Sequence, residues 1–168
     1  MAKLTITMVA KAAAVFIALT AGATFAHAQE FSRPGVIVFS ATTAQMETAL
    51  SGRCAKMTTR KIDPPFLPNI QTEQMQIDCD GFEFFGKPRW AEFVIGDDSL
   101  EMVWILTEAE EEDALRAAMT EAYGAPSSVS DDMELFAAAR AGLRKDKPEV
   151  LFYSHKLAPL MQAHHQGE

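Results

Sequence analysis

The stretch RWAEFVIGDDSLEMVWIL, Arg89 to Leu106, decides the fold. Arg89 to Ile95 and Leu100 to Leu106 are rich in β-branched and aromatic residues, and four turn formers, Gly96-Asp97-Asp98-Ser99, separate them. That is the pattern of a β-hairpin. Alternation places Ala91, Phe93 and Ile95 on one face and Trp90, Glu92 and Val94 on the other; on the second strand Met102, Trp104 and Leu106 alternate with Val103 and Ile105. Both faces are apolar, so the hairpin is predicted to be central in a sheet and covered on one side by a helix.

Downstream, Thr107 and Glu110 read as a capping box, and the acidic run Glu110, Glu111, Glu112 and Asp113 reads as a solvated face that complements the helix dipole. Leu115, Ala118, Met119 and Ala122 form the apolar stripe, and Tyr123-Gly124-Ala125-Pro126 stops the helix. Ser127 to Asp132 is a polar loop. Met133 to Leu143 fits two readings, since its alanines favour helix while Phe136, Ala138 and Arg140 with Gly142 fit a strand. With a turn at Lys145-Asp146-Lys147-Pro148 and a strand at Val150-Leu151-Phe152-Tyr153, we read a second hairpin. From about residue 156 the chain reads as a short terminal helix or a mobile tail.

Upstream, Gln74 to Phe82 alternates, with Met75, Ile77 and Cys79 on the buried side and Gln74, Gln76 and Asp78 on the other. Asp80-Gly81 marks a turn or bulge, and Gly86-Lys87-Pro88 a further turn. Residues 62–72 carry Pro64, Pro65 and Pro68, which predict an extended loop or edge segment. A short helix is predicted after Thr42, capped by Gln45, with Met46, Ala49 and Leu50 as its stripe and Gly52 at its end. Val36 to Phe39 reads as a short strand. No internal repeat of fixed period is detectable. The order implies an α+β fold: a twisted antiparallel meander with one long and one or two short helices on one face.

The first thirty residues, MAKLTITMVAKAAAVFIALTAGATFAHAQE, carry Lys3 and Lys11, then an apolar run from Ala12 to Phe25, then Ala26-His27-Ala28. This is the pattern of a signal peptide cleaved after Ala28, leaving residues 29–168 as one domain in a periplasmic or secreted setting. Once the signal is removed, no stable membrane insertion is expected. In that compartment Cys54 and Cys79 are expected to pair as a disulfide. The 168-residue chain has 15 Lys+Arg against 23 Asp+Glu, a formal charge of −8, which argues against nucleic acid as a partner.

The order of short helix, disulfide, meander and a helix ending in Tyr123-Gly124-Ala125-Pro126 resembles the helix-then-meander plan of two groups of small bacterial envelope proteins, the outer-membrane assembly lipoproteins and the β-lactamase inhibitor proteins. The likeness covers residues 42–106 and is one of layout, with no shared motif. The chain lacks the lipid-accepting cysteine of the lipoproteins, and the resemblance transfers no function or site residue.

The chain carries no G-x-S-x-G, H-E-x-x-H, P-loop or dinucleotide fingerprint, so no catalytic, cofactor-binding or metal-ligating residue is assigned. Asp78 and Glu92 would meet across neighbouring strands, and such a like-charged pair calls for Arg89, Lys56 or Arg60 nearby. Phe66, Leu67 and Ile70 of the proline loop, with Phe84, Phe85 and Trp90, are the candidate interaction surface. The face of the hairpin away from the helices is expected to meet that loop, a second copy of the chain or a partner. The expected function is a non-enzymatic, disulfide-stapled binding module whose partner is an envelope protein or a small ligand. The alternatives are a periplasmic hydrolase-type enzyme, or weak metal binding by His164 and His165 at the C-terminus.

Overall fold

A computed structural model describes residues 31–68 and 70–164. The signal segment, residues 1–28, and His165 lie outside them. Helix α1 spans Thr43–Leu50, with the Thr42–Gln45 capping box formed as its sequence predicts. Four strands follow: β1 (Lys56–Ile62), β2 (Gln74–Phe84), β3 (Lys87–Gly96) and β4 (Ser99–Leu106). A short 3-10 turn, Ala109–Glu111, leads into α2 (Glu112–Tyr123). Then come β5 (Ser128–Val129), β6 (Met133–Phe136), β7 (Ala141–Arg144), β8 (Glu149–Tyr153) and helix α3 (Ala158–His164).

All eight strands form one antiparallel sheet in the order β1-β2-β3-β4-β8-β7-β6-β5. The fold is α+β, as the sequence predicts. The order has a symmetry that the sequence does not display. Each half is a helix followed by a four-strand meander, and the last strands of the halves, β4 and β8, pair at the centre. The strands of the second half are much shorter, so the shared plan leaves no fixed sequence period.

Strand alternation sorts the side chains into two cores. On the first face, Ile77, Cys79, Phe93, Ile95, Val103, Ile105, Val150 and Phe152 pack against Met46 and Leu50 of α1 and Leu115 and Met119 of α2. Phe31 closes this core edge-on against Phe84 and Tyr123, with ring centroids 5.6 Å apart in both cases. On the second face, Val94, Met102, Leu135, Leu151 and Tyr153 pack against Leu67 of the proline loop and Leu157, beside α3. The central hairpin is thus buried on both sides where the two covers lie.

Local chemistry explains the turns. Phe85 and Gly86 join β2 to β3, and Asp97 and Asp98 join β3 to β4, all four at positive φ. Two-residue connections of this hand match the twist of the flanking strands. The register of β2 against β3 shifts between Cys79 and Phe82, so Asp80-Gly81 is a bulge. The hairpin predicted across Lys145 to Pro148 forms between β7 and β8, but the single strand expected over Met133 to Leu143 is split into β6 and β7 by a 3-10 turn, Ala137–Ala139.

Three further expectations change. Val36 to Phe39 is a pair of turns and no strand: Ile37 N–H donates to Pro34 O at 2.9 Å and Ala41 N–H to Val38 O at 3.1 Å. Pro34-Gly35 before it and Ser40 at φ 81° after it bend the chain. β1 is a strand that apolar patterning does not reveal. The capping box lies at the 3-10 turn that leads into α2, where Glu108 N–H donates to Glu111 Oε2 at 3.3 Å, in place of Thr107 and Glu110.

Candidate functional site

The second face of the sheet is covered only in part. Near the Asp97-Asp98 turn, the proline loop is pinned over it from both sides. Gln74, fully buried, accepts hydrogen bonds at Oε1 from Phe66 N–H (3.1 Å) and Leu67 N–H (2.9 Å). The Asp97 carboxylate accepts from Gln71 N–H (2.9 Å), Thr72 N–H (2.8 Å) and Thr72 Oγ1 (2.7 Å). These bonds, led by the one from Gln71, hold the Asp97 carboxyl well below the usual carboxylate range. Below Gly96 there is room for Ile70 only because no Cβ intervenes, since one built there would lie 2.2 Å from Ile70 Cδ1.

Away from that turn the cover ends. Trp90, Glu92, Trp104 and Leu106 share the face, and Trp90 is 39% exposed while the other three are half-buried. Glu92 stands directly across from Trp104 on β4 and from Asp78 on β2. Trp90 is the diagonal neighbour of Trp104 on the same face, two positions along β3 from Glu92. Trp90 Nε1 donates to Glu92 Oε1 at 3.3 Å, and the Arg144 guanidinium lies 5.7 Å from the Trp104 ring centroid.

Charge pairing on this face is uneven. Asp78 accepts from Arg60 Nε at 3.0 Å and from Gln76 Nε2 at 2.7 Å. Glu149 is paired with Lys147 at 2.6 Å and Arg144 at 3.3 Å. Glu101 is paired with Lys156 at 2.7 Å and also accepts from the buried Ser154 hydroxyl, which ties β4 to the chain leading into α3. Glu92 has no ion pair among the described residues. Arg60 therefore neutralises Asp78 alone and leaves the Glu92 side of the Asp78–Glu92 pair without a cation among the described residues. Arg89 does not supply one, because it lies on the opposite face against Glu111, and Lys56 stands across from Asp80.

The six residues predicted as an interaction surface are dispersed. Phe84 is buried in the first core and Phe85 is partly buried against it. Leu67 is buried and Ile70 partly buried in the second core. Phe66, at 56% exposure, and Trp90 are open, at the loop and beyond its reach respectively. Trp104 and Glu92 complete the open patch around Trp90, and the alternation of β3 and β4 already places both on its face. The acidic run differs from its solvated reading: Glu111 and Glu112 are half-buried and paired with Arg89 and Arg116.

Cys54 and Cys79 form a disulfide with Cα atoms 5.2 Å apart, joining the segment after α1 to the buried side of β2. Beside it an open cleft of about 530 Å³ is lined by Gly35, Gly52, Arg53, Gly81 and Glu83 among others. His155 is exposed, and among the described residues no three His, Cys, Asp or Glu side chains gather to hold a metal. No helix among them is long and apolar enough to cross a membrane.

The chain matches no protein-family profile, no curated protein and no solved structure with which it was compared.

Proposed function

We propose that the chain is a non-enzymatic binding module of an oxidising, extracytoplasmic space, a periplasm or the exterior, and that it holds a protein partner on the open part of its sheet. One observation carries this reading. Trp90 is left exposed beside Trp104 and Glu92 on a face whose other half is covered by the chain's own loop and helix. Tryptophan supplies large apolar contact with a polar N–H and is enriched where binding energy concentrates. The flanking groups, Glu92, Arg144 and Asp78, give the patch a polar rim of the kind interfaces carry. The disulfide and the export-type N-terminal sequence support the compartment.

The test is site-specific photo-crosslinking in the cell that makes the protein. A photoreactive residue replaces Trp90, or, as a control, the exposed Thr120 on α2. The reading expects a discrete adduct of higher mass from position 90 and none from position 120. Equal adducts from both positions, no adduct from position 90, or an adduct of two copies of this chain would each overturn it.

A further inference from the structure

We infer that the open patch receives a guanidinium group, an arginine side chain presented by the partner, between Trp90 and Trp104 and against Glu92. The inference rests on the reading of this face as a binding surface and names what it binds.

Three observations point to a cation. First, Glu92 is half-buried and has no cation partner among the described residues, whereas Asp78, Glu101 and Glu149 on the sheet each have one. A carboxylate partly withdrawn from water gains most from an opposite charge at hydrogen-bond distance. Second, Glu92 faces Asp78 across β2 and β3, and Arg60 binds Asp78 alone. Two carboxylates opposed on one face repel, so the uncompensated charge is at Glu92. Third, the neighbours of Glu92 are indoles, whose ring faces attract cations.

The preference for guanidinium over ammonium comes from the same surface. Arg144 of the chain already lies over Trp104, so this indole accepts a planar cation on its face. A guanidinium stacks on aromatic rings and donates two parallel bonds to a carboxylate, while an ammonium acts as a point charge. Among the described residues the one donor on Glu92 is the Trp90 N–H at 3.3 Å, a long bond that leaves acceptor capacity on both oxygens. The partner therefore offers an exposed arginine, and the acidic balance of the chain, −8 overall, suits a basic approach surface.

The experiment titrates the full folded protein with acetyl-Gly-Arg-Gly-amide and with the same peptide carrying lysine or the neutral isostere citrulline. Tryptophan fluorescence and the indole N–H resonances are the readouts. The arginine peptide is expected to bind saturably and to shift the Trp90 and Trp104 resonances. The citrulline peptide is expected to bind at least about tenfold more weakly, the scale of one charged contact on an aromatic surface. E92Q preserves shape and removes the charge, and is expected to abolish the difference between the two peptides. Equal binding of the arginine and citrulline peptides, a response unchanged in E92Q, or a concentration-dependent dimer that masks the patch in sedimentation would overturn the inference. If no peptide binds yet crosslinking from position 90 persists in the cell, the binding surface stands and the guanidinium assignment falls. If both fail, both fall.

Discussion

Arg89 and Glu111 form a two-bond ion pair between the sheet and the start of the long helix, with Nη1 to Oε2 at 2.6 Å and Nη2 to Oε1 at 2.9 Å. The Arg89 side chain is 4% exposed and that of Glu111 14%. The pair fixes α2 over the first core, on the face of the sheet opposite Trp90 and Glu92. E111Q is expected to destabilise the fold by about 3 kcal/mol, because it strands a buried guanidinium. The R89M/E111L double variant should regain much of that loss. Urea denaturation of the three proteins measures both.

The same pair sets an acid limit. Arg89, and then Lys87, pull the Glu111 carboxyl from 4.5 down to about 2 in the folded protein. A carboxyl depressed by folding stabilises fully above its unfolded value and loses that contribution as pH falls toward the folded one. The wild type should therefore lose its advantage over E111Q between about pH 5 and pH 2. Parallel pH profiles for the two proteins would contradict this.

Asp97 closes the proline loop over the second core by accepting hydrogen bonds from the chain at Gln71 and Thr72. D97N keeps the turn-forming residue but weakens the acceptor. The amide protons of Gln71 and Thr72 should then exchange faster by tenfold or so, roughly the effect of losing one charge-assisted bond. Amides on β8 should be unaffected. Because folding lowers the Asp97 carboxyl, the wild-type protection should hold through mildly acidic pH and fail only as the pH drops below the usual carboxylate range. Hydrogen exchange resolved by residue reads this out.

The disulfide spans a sequence separation of 25 and anchors the segment after α1. In the chain-entropy treatment a loop of that size is worth about 3–4 kcal/mol. The C54A/C79A variant should unfold at correspondingly lower denaturant, with α1 the first element to lose protection. Equal midpoints for the variant and the wild type would show that the packing of Met46 and Leu50 suffices without the bond.

How much of this is legible in sequence follows from which contacts are local. The β3–β4 hairpin and α2 announce themselves, because alternation, helical spacing and turn residues all lie within a few positions of one another, whereas Met133 to Leu143 fits helix and strand alike and is split by the left-handed turn at Arg140. β1 is hidden because Lys56–Ile62 reads KMTTRKI, a polar edge strand with no apolar face to show a period. Val36 to Phe39 misleads in the opposite sense: its composition is that of a strand, but Ser40 and Pro34-Gly35 bend it, and only Ile37 is buried. Trp90 and Glu92 fall on the correct face from alternation alone. That they are uncovered depends on where the proline loop is tied, through Gln74 and Asp97, and those ties are set by tertiary contacts. The role of Glu111 is equally distant, since its partner Arg89 lies 22 residues earlier.

The most direct measurement is hydroxyl-radical labelling of the protein in its own cell against the purified chain. Trp90 is exposed in the free protein, as are Phe66 and Met57 elsewhere on the surface. The binding surface predicts that Trp90 is labelled severalfold less in the cell while Phe66 and Met57 are labelled alike in both. Equal labelling of Trp90 in the cell and in the purified protein would show the face to be bare where it works.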